Sequence, residues 1–231
     1  MTEAEQIAAF EKETRMTVAY GGDGTLLEKA KTSKRPIIPI RNYARCPKHA
    51  DLLNEILHGL KEMQLKQSRH CFLQYTAGDA TDKGIAELTV KSADPTSALR
   101  FNVKINGTIY LENCIADGII YASELGSHGY WKSITRTIFR GQESVGLGFI
   151  APTYGINNIV LRNTDKVDIE FTRDMPLCFT ADKSKQTLSG IKHVAFEQLV
   201  DCATLFGYDI FCCYECRKLR NSTTINDMYF S

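Results

Sequence analysis

The sequence predicts an α+β chain with two regions, a small N-terminal α/β region and a larger region made mostly of β-strands. Up to about residue 65, short apolar runs alternate with stretches whose apolar side chains recur at helical spacing. Beyond it, apolar and polar residues alternate along several runs, and an Asn-Gly pair separates two of them, as in a β-hairpin. We therefore predict two domains, over residues 1–68 and 69–231.

The elements of the first domain follow from its apolar periodicity. Residues 3–14, rich in Ala and Glu, predict a short helix, and Thr17–Tyr20 predicts a strand. A helix is expected over residues 25–31, a buried strand over Pro36–Ile40, and an amphipathic helix over Asp51–Gln64. Because strands and helices alternate, we expect the strands to be parallel. The C-terminal segment of the chain is a candidate to pack back on this domain.

The second domain is predicted to be a series of strands with one helix. Asn106-Gly107 predicts a tight turn between two strands, and a helix is expected over Gly129–Phe139 with Ser127 as its N-cap. Further strands are predicted at Gly118–Ala122, Leu147–Ile150, Asn158–Leu161, Val167–Phe171 and Leu177–Thr180.

Composition excludes several classes of protein. A net charge of +1 gives no general attraction to nucleic acid or to an anionic membrane. The sequence has no apolar run of the length of a membrane span, and its acidic N-terminus does not resemble a signal peptide. We therefore expect a soluble, cytoplasmic protein with neither nucleic acid nor membrane as a partner.

The eight cysteines are expected to be reduced in such a protein. Cys213 and Cys216 have the spacing of half a zinc site. No second Cys pair or His pair accompanies them in the sequence, so buried or interface thiols are the alternative that we favour.

The most informative motif is Gly-Gly-Asp-Gly-Thr at residues 21–25, between the first strand and a helix. Glycines let backbone N–H groups approach a ligand closely, and a helix N-terminus favours anions. Asp23 would repel a phosphate unless it holds a metal ion or takes a proton from a hydroxyl. The loop therefore predicts phosphoryl-transfer chemistry around Asp23.

Residues 21–27, Gly-Gly-Asp-Gly-Thr-Leu-Leu, resemble the signature of the NAD kinase family, whose wider superfamily includes diacylglycerol and sphingosine kinases. Asp117–Tyr130 resembles the second motif of the family, and Ala86-Glu87 is similar to its Asn-Glu motif. The resemblance implies a truncated Rossmann-like α/β domain followed by a β-sandwich. It also implies ATP with Mg²⁺, NAD as substrate, and a homodimer or homotetramer.

The resemblance also implies roles for individual residues. Asp23 would be the catalytic carboxylate, as general base or as the group that positions the metal ion. Phosphates and nucleotide would be bound by Gly21, Gly22, Gly24, Thr25 and Asn42, and the acceptor substrate by Glu87, Asp117, His128, Gly129 and Tyr130.

The chain departs from the family pattern around the acceptor. Ala86 replaces an Asn and loses its amide, and His128 replaces a Thr, where it either contacts a phosphate or base or faces solvent. Asn42 could replace the family Asn that follows the second strand, although the Leu-Gly-Phe-Leu loop is absent. The basic residues nearby are Arg41, Arg45 and Lys48. They either bind phosphates or lie on the solvated surface.

The resemblance favours a kinase that transfers the γ-phosphoryl group of ATP to the 2′-hydroxyl of NAD, giving NADP. One alternative is a related kinase with another nucleoside or a lipid as acceptor. The other is an NAD(P)-binding protein without turnover.

Overall fold

The structure, a computed structural model, describes residues 2–42, 52–59 and 65–213. The chain divides into two compact units. Unit 1 contains the described residues of 1–29, 33–68 and 204–231, and unit 2 contains 30–32 and 69–203. The chain therefore leaves the N-terminal unit, builds the second unit, and returns to the first.

Unit 1 combines the helices and strands of the N-terminal region with the end of the last strand and the short helix after it. Its helices are α1 (Glu3–Thr14), α2 (Asp23–Thr32), α3 (Leu52–Gly59) and, near the C-terminus, α5 (Tyr208–Phe211), and its strands are β1 (Thr17–Tyr20), β2 (Ile37–Ile40) and the end of β14 (His193–Phe206). The predicted helices and strands of this region are confirmed within the described residues. A capping box begins α1, in which the Thr2 side chain accepts from the Glu5 N–H and Glu5 accepts in return.

The sheet of unit 1 is parallel, as the alternation of strands and helices predicts. Strand β2 pairs in parallel with β1 on one side, and Leu205 of β14 lies opposite Ile37 on the other. All four residues of β2 are buried, and Ile38 and Ile40 pack in one apolar cluster with Phe10 and Ile56 from the helices. Burial of this apolar strand between helices holds the unit together.

Unit 2 is built mainly from antiparallel strands and one short helix, α4 (Tyr130–Thr135). Its strands before α4 are β3 (Gln67–Ala77), β4 (Ala80–Gly84), β5 (Glu87–Ser92), β6 (Leu99–Ile105), β7 (Thr108–Ala116) and β8 (Gly118–Ser123). Those after α4 are β9 (Ser144–Ile150), β10 (Ile159–Arg162), β11 (Val167–Phe171), β12 (Leu177–Ala181), β13 (Ser184–Leu188) and most of β14.

These strands form two sheets. In one, β14 pairs with β3 and β11, β3 continues to β4, and β11 continues to β6 and β7; the other has the order β10-β9-β8-β5-β12-β13. Side chains of both sheets share one core, in which Tyr75 stacks on Phe179, and Tyr121 on Phe196. Unit 2 is thus the β-sandwich that the resemblance implied. Among the described residues, no helix has both the length and the apolar character needed to cross a membrane.

The predicted hairpin is confirmed. Asn106 and Gly107 join β6 to β7 with positive φ angles of 51° and 77°, as a tight hairpin turn requires. The alternation predicted strands β6 to β12 to within a few residues, but no strand was predicted at β3, β4, β5, β13 or β14.

Two details around α4 correct the sequence-based prediction. The helix ends at Thr135 because Arg136 takes a left-handed conformation with φ 60°. Ser127 is not the N-cap: it lies in a 3₁₀ turn, Gly126–His128, and its hydroxyl lies 2.7 Å from the carbonyl oxygen of Glu124. Gly129 occupies the N-cap position without a side-chain hydrogen bond.

The expectation of reduced cysteines is wrong for one pair. Cys71 of β3 and Cys202 of β14 form a disulfide, because two neighbouring strands bring together residues 131 positions apart. Cys114 is buried, and Cys178, Cys212 and Cys213 are partly buried. Cys46 and Cys216 lie outside the described residues, so the proposed half zinc site at Cys213 and Cys216 stays a prediction.

We expect the disulfide to stabilise unit 2. In non-reducing buffer, Cys71→Ser should lower the free energy of unfolding by about 2–4 kcal/mol, because the bond restricts the unfolded chain. The difference should disappear when both proteins are unfolded in a reducing agent. Alkylation without reductant should label two cysteines fewer than alkylation after reduction, and equal labelling would contradict the bond.

Candidate functional site

Three parallel strands of unit 1 end at the same edge of their sheet. After β1 comes the glycine loop, after β2 comes Arg41, and after β14 comes α5. Ligands of α/β sheets bind at the carboxyl ends of the strands. This edge is therefore where the fold places polar groups for chemistry in unit 1.

The glycine loop is a tight connection into α2. Gly21 donates its N–H to the carbonyl of Ile40 at 2.8 Å, and a Cβ at Gly21 would lie 2.4 Å from the Thr25 hydroxyl oxygen. Thr25 in turn donates its N–H to the carbonyl of Gly22 at 3.1 Å. Of the four loop residues expected to bind phosphates, Gly21 and Thr25 therefore use their N–H groups in hydrogen bonds to the protein backbone. Gly24 lies in the first turn of α2, where N–H groups have no acceptor within the helix.

Asp23 is the first residue of α2, and Arg41 lies beside it. Arg41 Nη2 is 2.8 Å from Asp23 Oδ1, and the Arg41 side chain is 15% exposed whereas that of Asp23 is 53% exposed. Arg41 was expected to meet a phosphate or solvent; in the structure its guanidinium binds the candidate catalytic carboxylate. Asn42 follows it and is exposed, and Arg45 and Lys48 lie outside the described residues.

Unit 2 brings together three of the residues expected to bind the acceptor. Glu87 begins β5 opposite the end of β8, and its Oε2 accepts the N–H of Tyr130 at 3.2 Å. A Cβ at Gly129 would lie 3.5 Å from the same oxygen. Burial, and then the neighbouring Asp182 carboxylate, raises the pKa of Glu87 to about 7. Near neutral pH, Glu87 can therefore donate a hydrogen bond as well as accept one.

Asp182 is a residue of this cluster that sequence reasoning missed. Its carboxylate accepts the N–H groups of Ile85, Ala86 and Glu87 at 2.8, 3.0 and 3.0 Å. It lies in the turn after β12 with a φ of 53°, and burial raises its pKa. Nothing in the sequence near residue 182 indicates a contact with a segment nearly 100 positions earlier. Asp182 fixes the backbone that carries Glu87.

The other side of that segment is held by the loop after β8. The Ser123 hydroxyl donates to the carbonyl of Ile85 at 2.6 Å, and the Gly126 N–H donates to the Ser123 oxygen at 3.3 Å. A Cβ at Gly126 would lie 2.0 Å from the carbonyl oxygen of Ala86, so only glycine fits there. The Ser-x-x-Gly pattern of this loop is the signal that could have indicated the contact.

Tyr130 and His128 lie on either side of Gly129. Lys91 donates to the Tyr130 hydroxyl at 2.9 Å and lies 4.6 Å from the centre of its ring, so the phenol is held in place by a cation that the sequence did not single out. His128 is partly buried in the 3₁₀ turn. The choice between a ligand-contacting and a solvent-facing His128 stays a prediction.

Asp117 does not join this cluster. It is exposed in the turn between β7 and β8, next to Gly118, which lies opposite Lys91, whereas Glu87 lies opposite Ala122 at the other end of β8. The length of that strand separates the two carboxylates by roughly 16 Å along the sheet. In the part of the chain that the structure describes, no group of three His, Cys, Asp or Glu side chains could hold a metal ion.

The chain is similar to proteins named NAD kinase. No family model matches it. It is 31% identical to an NAD kinase of Methanopyrus kandleri over 128 residues, which are 52% of this chain and 45% of that protein. The chain spans less than two thirds of the length of the curated relatives that it matches first.

Solved structures show the same fold. The NAD kinase of Archaeoglobus fulgidus in complex with ATP has a TM-score of 0.71 at 18% identity, with 96% of each chain covered. Yeast NADH kinase in complex with NADH has a TM-score of 0.70 at 15% identity, with 92% of this chain and 68% of that one covered. The resemblance to the NAD kinase family that the motifs indicated is thus confirmed in sequence and in fold.

The raised pKa of Glu87 predicts a pH-dependent cost in stability. The folded state holds the proton more tightly than the unfolded state, so stability is lost as the pH rises from about 4.5 to 7. Glu87→Gln removes this cost, and the variant should be more stable than the wild type at pH 8 by up to about 3 kcal/mol but similar at pH 5. Urea unfolding at both pH values measures the difference, with the exposed Glu112→Gln as control. Equal differences at the two pH values would contradict the prediction.

Gly126→Ala should disturb the Glu87 segment. The added Cβ would collide with the Ala86 carbonyl, so we expect a loss of about 1–3 kcal/mol in the free energy of unfolding. Gly155→Ala is the matched control, because a Cβ at Gly155 has no atom within 4 Å. Thermal or urea unfolding of the two variants should separate them clearly.

Proposed function

We propose that the chain is an NAD kinase-like phosphotransferase that moves the γ-phosphoryl group of ATP to the 2′-hydroxyl of NAD, giving NADP. The observation that carries this proposal is Asp23 in its glycine loop at the carboxyl edge of a parallel sheet, in a chain with the NAD kinase fold. Neither the loop nor the fold alone would select this reaction, but together they match the proteins to which the chain is similar.

The reaction needs little covalent chemistry from the protein. The ribose 2′-oxygen forms a bond to the γ-phosphorus, the bond from that phosphorus to the β–γ bridging oxygen breaks, and ADP leaves. The proton of the hydroxyl goes to a base, for which the Asp23 carboxylate is the candidate. Positioning and neutralisation of charge account for most of the catalysis in such transfers.

Unit 1 offers groups suited to the phosphoryl donor. The N–H groups in the first turn of α2, with the helix dipole, favour phosphate oxygens. Arg41 supplies a positive charge next to Asp23, so the carboxylate and the phosphates do not face each other without a cation. The NAD kinase of Archaeoglobus fulgidus, which shares this fold, was solved in complex with ATP, and this supports ATP as the donor.

Mg²⁺ is proposed to arrive with ATP. Magnesium is commonly held by one or two carboxylates together with substrate phosphates, and it keeps several waters. Asp23 at the loop fits one such carboxylate, and the absence of a cluster of three acidic ligands in the described residues fits a metal that comes with the nucleotide. The ion would neutralise charge on the transferring phosphoryl group.

Unit 2 offers groups suited to the acceptor. Glu87, protonated for part of the time near neutral pH, can exchange hydrogen bonds with ribose hydroxyls, and the ordered Tyr130 ring offers an apolar face. We also propose roles in acceptor binding for His128, Gly129 and Asp117. The homo-oligomer and the cytoplasmic location expected from the sequence remain predictions.

Ala86 is the observation that favours a second candidate, a kinase whose acceptor is not NAD. Its backbone N–H is bound by Asp182, but its methyl side chain offers no amide where the family has Asn. A missing hydrogen bond changes acceptor preference strongly, because polar mismatches discriminate well between substrates.

The test is to incubate the protein with Mg²⁺-ATP and each of NAD, NADH and several nucleosides, and to identify products by mass spectrometry. NAD(P) binding without any phosphorylated product would instead support the alternative of an NAD(P)-binding protein without turnover.

Asp23→Asn should abolish most of the transfer while leaving the fold intact. Asn keeps the size of the side chain but cannot take a proton and binds a cation weakly, so we expect kcat to fall by about 10²–10⁴-fold. NADP formation and the unfolding temperature are measured together, with Asp79→Asn in the exposed β3–β4 turn as control. Unchanged activity in Asp23→Asn would exclude Asp23 from the reaction.

A further inference from the structure

Arg41 is held from two sides, and only one of them is Asp23. Its Nη2 lies 2.8 Å from Asp23 Oδ1, and its Nε donates to the carbonyl oxygen of Phe211 at 3.0 Å. The guanidinium carbon also lies 4.0 Å from the centre of the Phe211 ring. The plane of the guanidinium is therefore set by a backbone group and an aromatic face as well as by the carboxylate.

Phe211 is itself well fixed. Phe211 is 2% exposed, and its N–H donates to the carbonyl of Gly207 at 3.1 Å. Gly207 is the N-cap residue of α5. Gly207, at a φ of 75°, donates its own N–H to the carbonyl of Lys66 at 3.0 Å. The main chain after β14 therefore fixes Phe211, Phe211 fixes the Arg41 guanidinium, and Arg41 fixes Asp23. All of these residues belong to unit 1.

This arrangement requires arginine. The Nε and Nη groups of a guanidinium point in different directions within one plane, so one side chain can bind a carbonyl and a carboxylate at once while its face stacks on a ring. A lysine ammonium can make the ion pair but has no planar face and no second fixed donor. The ion pair with Arg41 restricts the side-chain conformers of Asp23, which is 53% exposed.

We propose that Arg41, held by Phe211, is the positioning residue for Asp23, and that the segment Tyr208–Phe211 is therefore part of the phosphoryl-transfer site. The inference rests on the proposed function. Arg41 acts through Asp23, holding its carboxylate in one orientation towards the reacting hydroxyl. A displacement of a catalytic group by about 1 Å can cost on the order of 100-fold in rate.

The test is a double-mutant cycle on the full chain, with NADP formation followed from radiolabelled ATP so that slow variants remain measurable. Arg41→Gln should lower kcat by about 10- to 100-fold and leave the KM for NAD within about three-fold. In the Asp23→Asn background, Arg41→Gln should have almost no further effect, because the carboxylate that it positions is gone. Arg41→Lys and Phe211→Leu should each lower kcat by less than Arg41→Gln.

A matched pair elsewhere in the chain provides the control. Lys83 lies 2.8 Å from Asp201 and 4.1 Å from the centre of the Phe72 ring, so it combines an ion pair with a ring contact far along the sequence from the loop. Lys83→Gln should leave kcat unchanged. Unfolding temperatures of all variants show whether each folds, and if Arg41→Gln does not, the same cycle is run with Arg41→Lys.

The outcomes separate this inference from the proposed function. If the wild type is active and Arg41→Gln is equally active, the inference alone is overturned. It is also overturned if the fold-losses in kcat of Arg41→Gln and Asp23→Asn multiply in the double variant, as independent effects do. A wild type that forms no NADP from Mg²⁺-ATP and NAD overturns the proposed function and the inference with it. A large fall in kcat that vanishes in the Asp23→Asn background supports both.

Discussion

The parallel pairing of β2 with β1 and with the end of β14 is the constraint on which the site in unit 1 depends. Parallel strands present their carboxyl ends at one edge, so the residues that follow them meet there. Asp23 of the glycine loop lies 18 positions before Arg41, and Phe211 lies 170 positions after it, and they are neighbours for this reason. Burial of the apolar β2 strand stabilises the pairing, and the ion pair is assembled as a consequence.

In unit 2, hydrogen bonds order a backbone segment that ends at the partly buried side chain of Glu87. Asp182 accepts three successive N–H groups, the last of them that of Glu87, and Ser123 and Gly126 hold the carbonyl side. Burial, and then the neighbouring Asp182 carboxylate, raises the pKa of Glu87. The same contacts that order the segment thus alter the chemistry of its last side chain.

Local patterns predicted much of this molecule. The Asn106-Gly107 turn, the amphipathic helix α3 and strands β2 and β11 follow from residues close to one another in the sequence, where propensity and periodicity act. The prediction of Ser127 as an N-cap was wrong although the residue type is suitable, because its hydroxyl finds carbonyl partners in a 3₁₀ turn. The Ser127 hydroxyl could bind either the N–H groups of the helix or the nearby carbonyls, and the backbone conformation of the turn, which the sequence does not show, decides between them.

By itself, the sequence predicted the α+β fold class and indicated phosphoryl-transfer chemistry around Asp23, because the glycine loop is a contiguous motif and alternation is a local property. The tertiary structure alone decided which groups surround those motifs. Arg41 meets Phe211 across 170 positions, Asp182 meets Ile85 across 97, and Cys71 meets Cys202 across 131. Such contacts depend on strand order and register, and Asp117 lies apart from Glu87 for the same reason, since the length of β8 separates them.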